Sequence, residues 1–206
     1  MGWYLWVLPA LSGLTALLET DGVYVGQWML SRPVVAGPLV GAALGAGFTG
    51  VAFGAVFEAL SLEASPVGSF VPMNGTVGAV CAVLLCAGPE ALPPAAALPA
   101  GLALGLGVSA LERLLRDRRA ALSQEAERSL RSARRVPWAG LLFRSVGTYA
   151  LAVAAFIYLS VALLGPAVGG LWGALPSALQ RGLMAAFDWS PWLASAVLMH
   201  ALARGR

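Results

Sequence analysis

Apolar and polar positions alternate in blocks rather than in short periods. Residues 3–18 are almost wholly apolar and predict a first, retained membrane helix, since no basic residue precedes Arg32 as the n-region of a cleaved signal would require. Residues 19–32 (ETDGVYVGQWMLSR) are mixed and read as interfacial. From Pro33 to Leu62 the chain carries one charge, Glu58, in 30 residues. One helix of that length would reach about 45 Å, and two equal halves only about 22 Å each. The hydrocarbon core is roughly 30 Å thick, so neither spans cleanly. The pattern predicts a broken or re-entrant pair turning near Gly45-Ala46-Gly47.

Residues 66–88 predict another apolar segment, its first half broken by Pro66, Pro72 and Gly75, with the Asn74 amide inside it. Residues 92–111 predict a further helix. Glu112 to Arg135 then carries eight arginines against four acids. Such an excess marks a cytoplasmic segment, here a solvated or membrane-surface helix. Trp138 to Leu164 returns to the membrane, with Arg144 close enough to its surface to snorkel. Residues 175–189 read as interfacial or re-entrant, and the closing PWLASAVLMHAL is short for a span. The expected fold is therefore all-α, a polytopic membrane protein with broken or re-entrant helices. It divides into a membrane region at 1–111, an arginine-rich loop or helix at 112–137, and a second membrane region at 138–206.

Composition sharpens this. The chain is 59% hydrophobic and 11% charged, about half the charge of a soluble domain. Its mean hydropathy is +0.79. All 13 basic residues are arginine. Without lysine there is no P-loop nucleotide site and no Schiff-base chemistry. The net charge of +3 comes mostly from one segment and does not argue for nucleic acid. Cys81 and Cys86 sit in an apolar run and read as buried thiols. His200 alone cannot make a metal site. Ser69 and His200 are the formal candidates for an intramembrane hydrolase, and nothing in their context brings them together. Gly37, Gly41 and Gly45 recur every four residues, as do Gly50 and Gly54, which predicts close helix packing.

The run GQWMLSRPVVAGPLVGAALG, followed by TGVAFGAVFEALSL and SPVGSFVPMNGTVGAV, resembles the C subunit (enzyme IIC) of the mannose/sorbose-type phosphoenolpyruvate-dependent sugar phosphotransferase system. The likeness is nearly continuous over residues 20–85 and weaker at FRSVGTYALAVAAF and LPSALQRGLMAAF. Departures are Ala46, where many relatives have an acid, and Pro72-Met73-Asn74 in place of Pro-Pro-Asp. Asp188-Trp189 replaces a closing glycine pair, and relatives tend to continue for roughly another helical hairpin beyond Arg206.

The resemblance implies a non-catalytic subunit that passes a hexose through a bacterial inner membrane. It would pair with a D subunit, assemble as a homo-oligomer of that heteromer, and hand the sugar to a separate phosphorylated B subunit. It implies no cofactor. The expected substrate-binding residues are Gln27, Glu58 and Asn74. Each can hydrogen-bond sugar hydroxyls. Glu58, the one carboxylate deep in an apolar run, would otherwise pair with Arg32 or a subunit partner, or sit at an interface. Arg32 reads first as a membrane-surface anchor and second as a group near the phosphoryl donor. Pro33, Gly41, Gly45 and Pro72 are expected to serve structure or interfaces. The rival reading is a non-transporting regulatory or scaffold protein derived from the same family.

Overall fold

The computed structural model describes residues 2–22, 24, 26–62, 71–132 and 135–204. Pro66, Ser69, Arg134 and Arg206 lie outside the described residues. Every regular element described is helical. A π-helical turn (Trp3–Val7) runs into α1 (Leu8–Asp21). Then come α2 (Pro33–Ala43), α3 (Gly47–Ser61), α4 (Gly75–Ala87), α5 (Pro94–Arg131), α6 (Trp138–Ala174) and α7 (Ser177–Ala203).

The chain breaks between α2 and α3, at the place the glycine-rich run predicts. Arg32 is extended, as steric pressure from the following proline demands, so α2 starts at Pro33. Its other end is a Schellman turn. The Ala46 N–H donates to the Gly41 carbonyl at 2.7 Å, and the Gly45 N–H donates to the Ala42 carbonyl at 3.1 Å. That turn needs a left-handed residue, and Gly45 supplies it with φ +70°. With 11 and 15 residues, the two helices rise about 16 and 22 Å, each less than a full span.

The hairpin closes backbone to backbone. A methyl on Gly41 would stand 2.8 Å from the Ala46 carbonyl and 2.9 Å from the Gly50 Cα, and one on Gly37 would meet Gly50 and Gly54. Gly45 belongs to the same four-residue spacing but not to this contact; a methyl there meets nothing within 4 Å. Its place in the series is explained by the turn.

Helix α4 forms the axis of the molecule. Every residue from Gly75 to Leu85 is buried, with α2, α3, α5 and α6 packed around it. Cys81 is buried among them, and Cys86 is half-buried. Helix α1 lies against α6, and α3 against α7.

Three long helices differ from the segments the sequence predicts. The apolar run at 92–111 and the arginine-rich run after it are one helix, α5, of 38 residues. No glycine or proline follows Gly107 before its end, and pairs such as Glu112–Arg116 at 3.0 Å carry the helix through the change of composition. Helix α6 continues past Leu164, through Pro166, to Ala174. Residues 177–203 form one helix, about 40 Å long, rather than a re-entrant piece and a short span. Pro191 does not end it. Proline leaves the carbonyl four residues back without its N–H, and the Ser190 hydroxyl donates to that Phe187 carbonyl at 2.8 Å. The α6–α7 turn is closed by Gln180, whose amide donates to the Trp172 and Leu175 carbonyls at 2.8 and 3.1 Å. Helices α5 and α6 are long and apolar enough to cross a membrane.

Candidate functional site

A polar cavity of about 340 Å³ opens at the N-terminal end of α4. That falls in the range of small-molecule sites. It is bounded by Glu19 of α1, Tyr24, Ser31 and Arg32 before α2, Asn74 and Thr76 at the start of α4, Glu112 and Arg116 of α5, and Tyr149 of α6. Acceptors, donors and two aromatic faces therefore meet in one space. The Tyr24 and Tyr149 rings stand 5.3 Å apart.

Asn74 organises the floor. Its Oδ1 accepts the Val77 N–H at 2.8 Å and so caps α4. Its Nδ2 donates to the Glu19 carboxylate. An amide has two donor hydrogens and two acceptor lone pairs, so one of each stays free for a ligand. The Asn74 main chain is tied to α5: its N–H donates to the Ser109 hydroxyl at 3.1 Å and the Gly105 carbonyl at 3.2 Å. The same Ser109 hydroxyl reaches the Pro72 carbonyl at 2.6 Å, so Pro72 and Asn74 are held by one residue. Thr76 donates to the Ser31 carbonyl and joins α4 to the α2 approach.

Arg32 stands at the rim with its guanidinium 3.0 Å from Glu58. Glu58 is buried on α3, and its other oxygen accepts the Val34 N–H at 3.3 Å. Both Glu58 oxygens are thus engaged across the hairpin, and Glu58 is not among the residues bounding the cavity. Of the roles open to it in the sequence, the geometry displays the pair with Arg32.

Gln27 also lies off the cavity lining, exposed on the loop between α1 and α2. That loop bends through left-handed residues Gly26, Gln27 and Met29. For the two non-glycine residues this costs about 1–2 kcal/mol each. Asp21 offsets it: its carboxylate accepts the Trp28 N–H at 2.9 Å and the Leu30 N–H at 2.8 Å. Charge-assisted bonds of this kind are stronger than neutral ones.

Of the three expected binding residues, then, the structure brings Asn74 alone to the cavity. Pro33 and Pro72 border it, while Gly41 and Gly45 lie in the hairpin behind. Glu19, Tyr149, Glu112 and Arg116 complete it without having been singled out. Glu19 reads as interfacial in sequence because its partner Asn74 is 55 positions away. Among the described residues no group of three or more His, Cys, Asp or Glu could hold a metal ion.

The class these features define is a helical membrane protein in which a half-length hairpin stands beside a polar cavity. The chain belongs to the EII-Sor family, the sorbose-specific IIC component of the phosphotransferase system, whose family model matches residues 6–206. No curated protein matches the sequence. The fold is similar to that of a solved membrane protein, at 19% identity and a TM-score of 0.74, over 96% of this chain and 80% of that one. It is also similar to a chain in the structure of the mannose transporter ManYZ with Microcin E492, at 16% identity and a TM-score of 0.61, over 95% and 79% of the two chains.

Proposed function

We propose that this chain is the sugar-translocating subunit of a mannose/sorbose-type phosphotransferase system. It binds a hexose in the Asn74–Glu19 cavity and passes it inward, while a separate phosphorylated B subunit performs the transfer. The observation that carries the reading is the cavity itself, which sets free hydrogen-bonding capacity on Asn74 beside carboxylates, guanidiniums and tyrosine faces. Hexose hydroxyls donate and accept, and their ring C–H faces suit aromatic walls. Glu58 acts at one remove, holding Arg32 at the rim, and Gln27 belongs to the loop that Asp21 braces. A D subunit is the expected partner within a bacterial inner membrane, with the arginine-rich end of α5 on the cytoplasmic side.

The test is phosphoenolpyruvate-dependent phosphorylation of hexoses by membranes holding the C, D and B subunits. Glu19→Gln keeps the shape and removes the charge; Asn74→Ala removes donor and acceptor. A hydrogen bond involving a charged group is worth about 1.5–3 kcal/mol, so each change should raise the apparent KM about tenfold or more. The amount of protein in the membrane should stay the same. Activity that survives removal of this chain overturns the reading. So does a full set that phosphorylates no hexose, and that second result points to the regulatory or scaffold role.

A further inference from the structure

A second cavity, about 190 Å³, lies between the arginine-rich part of α5 and the start of α6. Arg118, Arg119, Arg144, Ser145, Thr148 and Tyr149 line it, and no carboxylate is in its lining among the described residues. Three guanidiniums facing one small space repel one another. Arg118 enters no ion pair among the described residues. Arg144 touches Glu125 at 3.3 Å, but both side chains of that pair are well exposed.

Arg119 is the unusual member. Its guanidinium is flanked by the rings of Tyr24 and Tyr149, at 5.4 and 5.6 Å from their centroids. Its Nε donates to the Leu115 carbonyl at 3.3 Å. Its Nη2 is buried and has no hydrogen-bond partner among the described residues. A buried charged donor without an acceptor is costly, and such groups are normally satisfied.

The chemistry that would satisfy all of these groups is an oxyanion with several acceptor atoms. Phosphate offers that: guanidinium forks bind it in pairs and the Ser145 hydroxyl can add a donor, while Thr148 already gives its proton to the Arg144 carbonyl at 2.5 Å. The cavity's depth fits too. Helix α6 begins at exposed Trp138, and Leu142 and Phe143 are exposed beside the lining residues, as at the border between headgroups and acyl chains. Basic pockets between membrane helices at this level take phosphate-bearing headgroups.

We propose that this cavity binds a phosphate group at the membrane surface. The inference is independent of the sugar reading, although Tyr149 lines both cavities, so an occupant here also braces one wall of the other.

The experiment uses the full chain in detergent, followed by native mass spectrometry and thermal unfolding. It is titrated with phosphatidylglycerol, with phosphatidylcholine, and separately with inorganic phosphate. Arg119→Gln would also remove the stacking on two tyrosines, so the exposed Arg118→Gln and Arg144→Gln carry the test. Arg128→Gln and Arg131→Gln make the same charge change on α5 away from the cavity.

One retained phosphatidylglycerol, weakened about tenfold by each cavity variant and unchanged by the remote ones, supports a lipid headgroup as the source. Saturable stabilisation by inorganic phosphate, lost in the cavity variants, with no preference between the two lipids, supports free phosphate as the source. Absence of saturable binding to any of the three overturns the proposal. So does an equal loss in the cavity and remote variants, which would show only diffuse attraction to a basic helix.

Discussion

The hairpin and axis, α2 to α4, and the closing pair, α6 and α7, are both apolar, yet they are built in opposite ways. The first three helices have 11, 15 and 13 residues, and α4 is buried from Gly75 to Leu85. The closing pair has 37 and 27 residues; α7 buries only Ala194, and Trp189, Trp192, Leu193 and Met199 stand exposed. Where lipid is the solvent, every main-chain group must be satisfied inside its own helix, so the outer elements run unbroken, even through Pro191. Where protein surrounds the backbone, the chain can stop halfway and turn back. The difference shows which apolar surface serves lipid or a partner subunit and which frames a cavity.

Glycine substitution should break that comparison most forcefully. In Gly41→Leu the new side chain meets main-chain atoms that cannot rotate away. Overpacking alone costs about 1–3 kcal/mol, and fixed backbone raises it. Gly173 and Gly182 on the closing pair have no atom within 4 Å of an added Cβ, so leucine there should change stability by about 0.5 kcal/mol or less. Thermal unfolding in detergent should show a large drop for the first and none for the others. Equal drops would erase the distinction between the two regions.

A smaller effect is expected from Glu58→Gln, which leaves Arg32 unpaired. Breaking a fully buried pair costs about 3–5 kcal/mol, but the Arg32 side chain is half exposed, which brings the expectation to about 1–2 kcal/mol. Arg32→Gln should cost at least as much, because it strands the buried Glu58. If both variants unfold with the wild type, the pair does not hold the hairpin.

The smallest and most selective change is Asn74→Ser. Serine keeps a capping acceptor, so Asn74→Ser should be more stable than Asn74→Ala by about 1 kcal/mol, while both lose the amide bond to the buried Glu19. Serine cannot supply the amide that reaches Glu19. If Asn74 also binds sugar as proposed, phosphorylation assays should separate that role from capping: Asn74→Ser is more stable than Asn74→Ala but handles sugar as poorly. Normal sugar handling by the serine variant would reduce Asn74 to a helix cap.

The hairpin was legible because its signals are local. A proline start, a glycine at the turn and a length that fits neither one span nor two need no distant partner to be read. Continuity was harder. The change at Glu112 looks like a boundary in composition, but composition does not break a helix, and nothing in the following residues does. Pro191 misled for a related reason, since the remedy, the Ser190 hydroxyl, is visible only as geometry. The cavity was legible at Asn74 through the resemblance. Glu19 and Tyr149 were not, because they line it together only after α1 and α6 pack against each other. Glu58 drew notice for being buried and charged, a property that a structural ion pair shares with a binding group.

The continuity of α5 has a mechanical meaning. Ser109 is fastened to Pro72 and Asn74 at the polar cavity, and the same helix runs on to Arg131. Those 22 residues make an arm of about 33 Å, so a tilt of about 5° pivoting at Ser109 swings the far tip by about 3 Å. A displacement too small to notice at the pivot is thus amplified at the arginine end to the scale of a broken contact. The leverage also runs backwards: a load on the tip arrives at the pivot as a small, forceful twist.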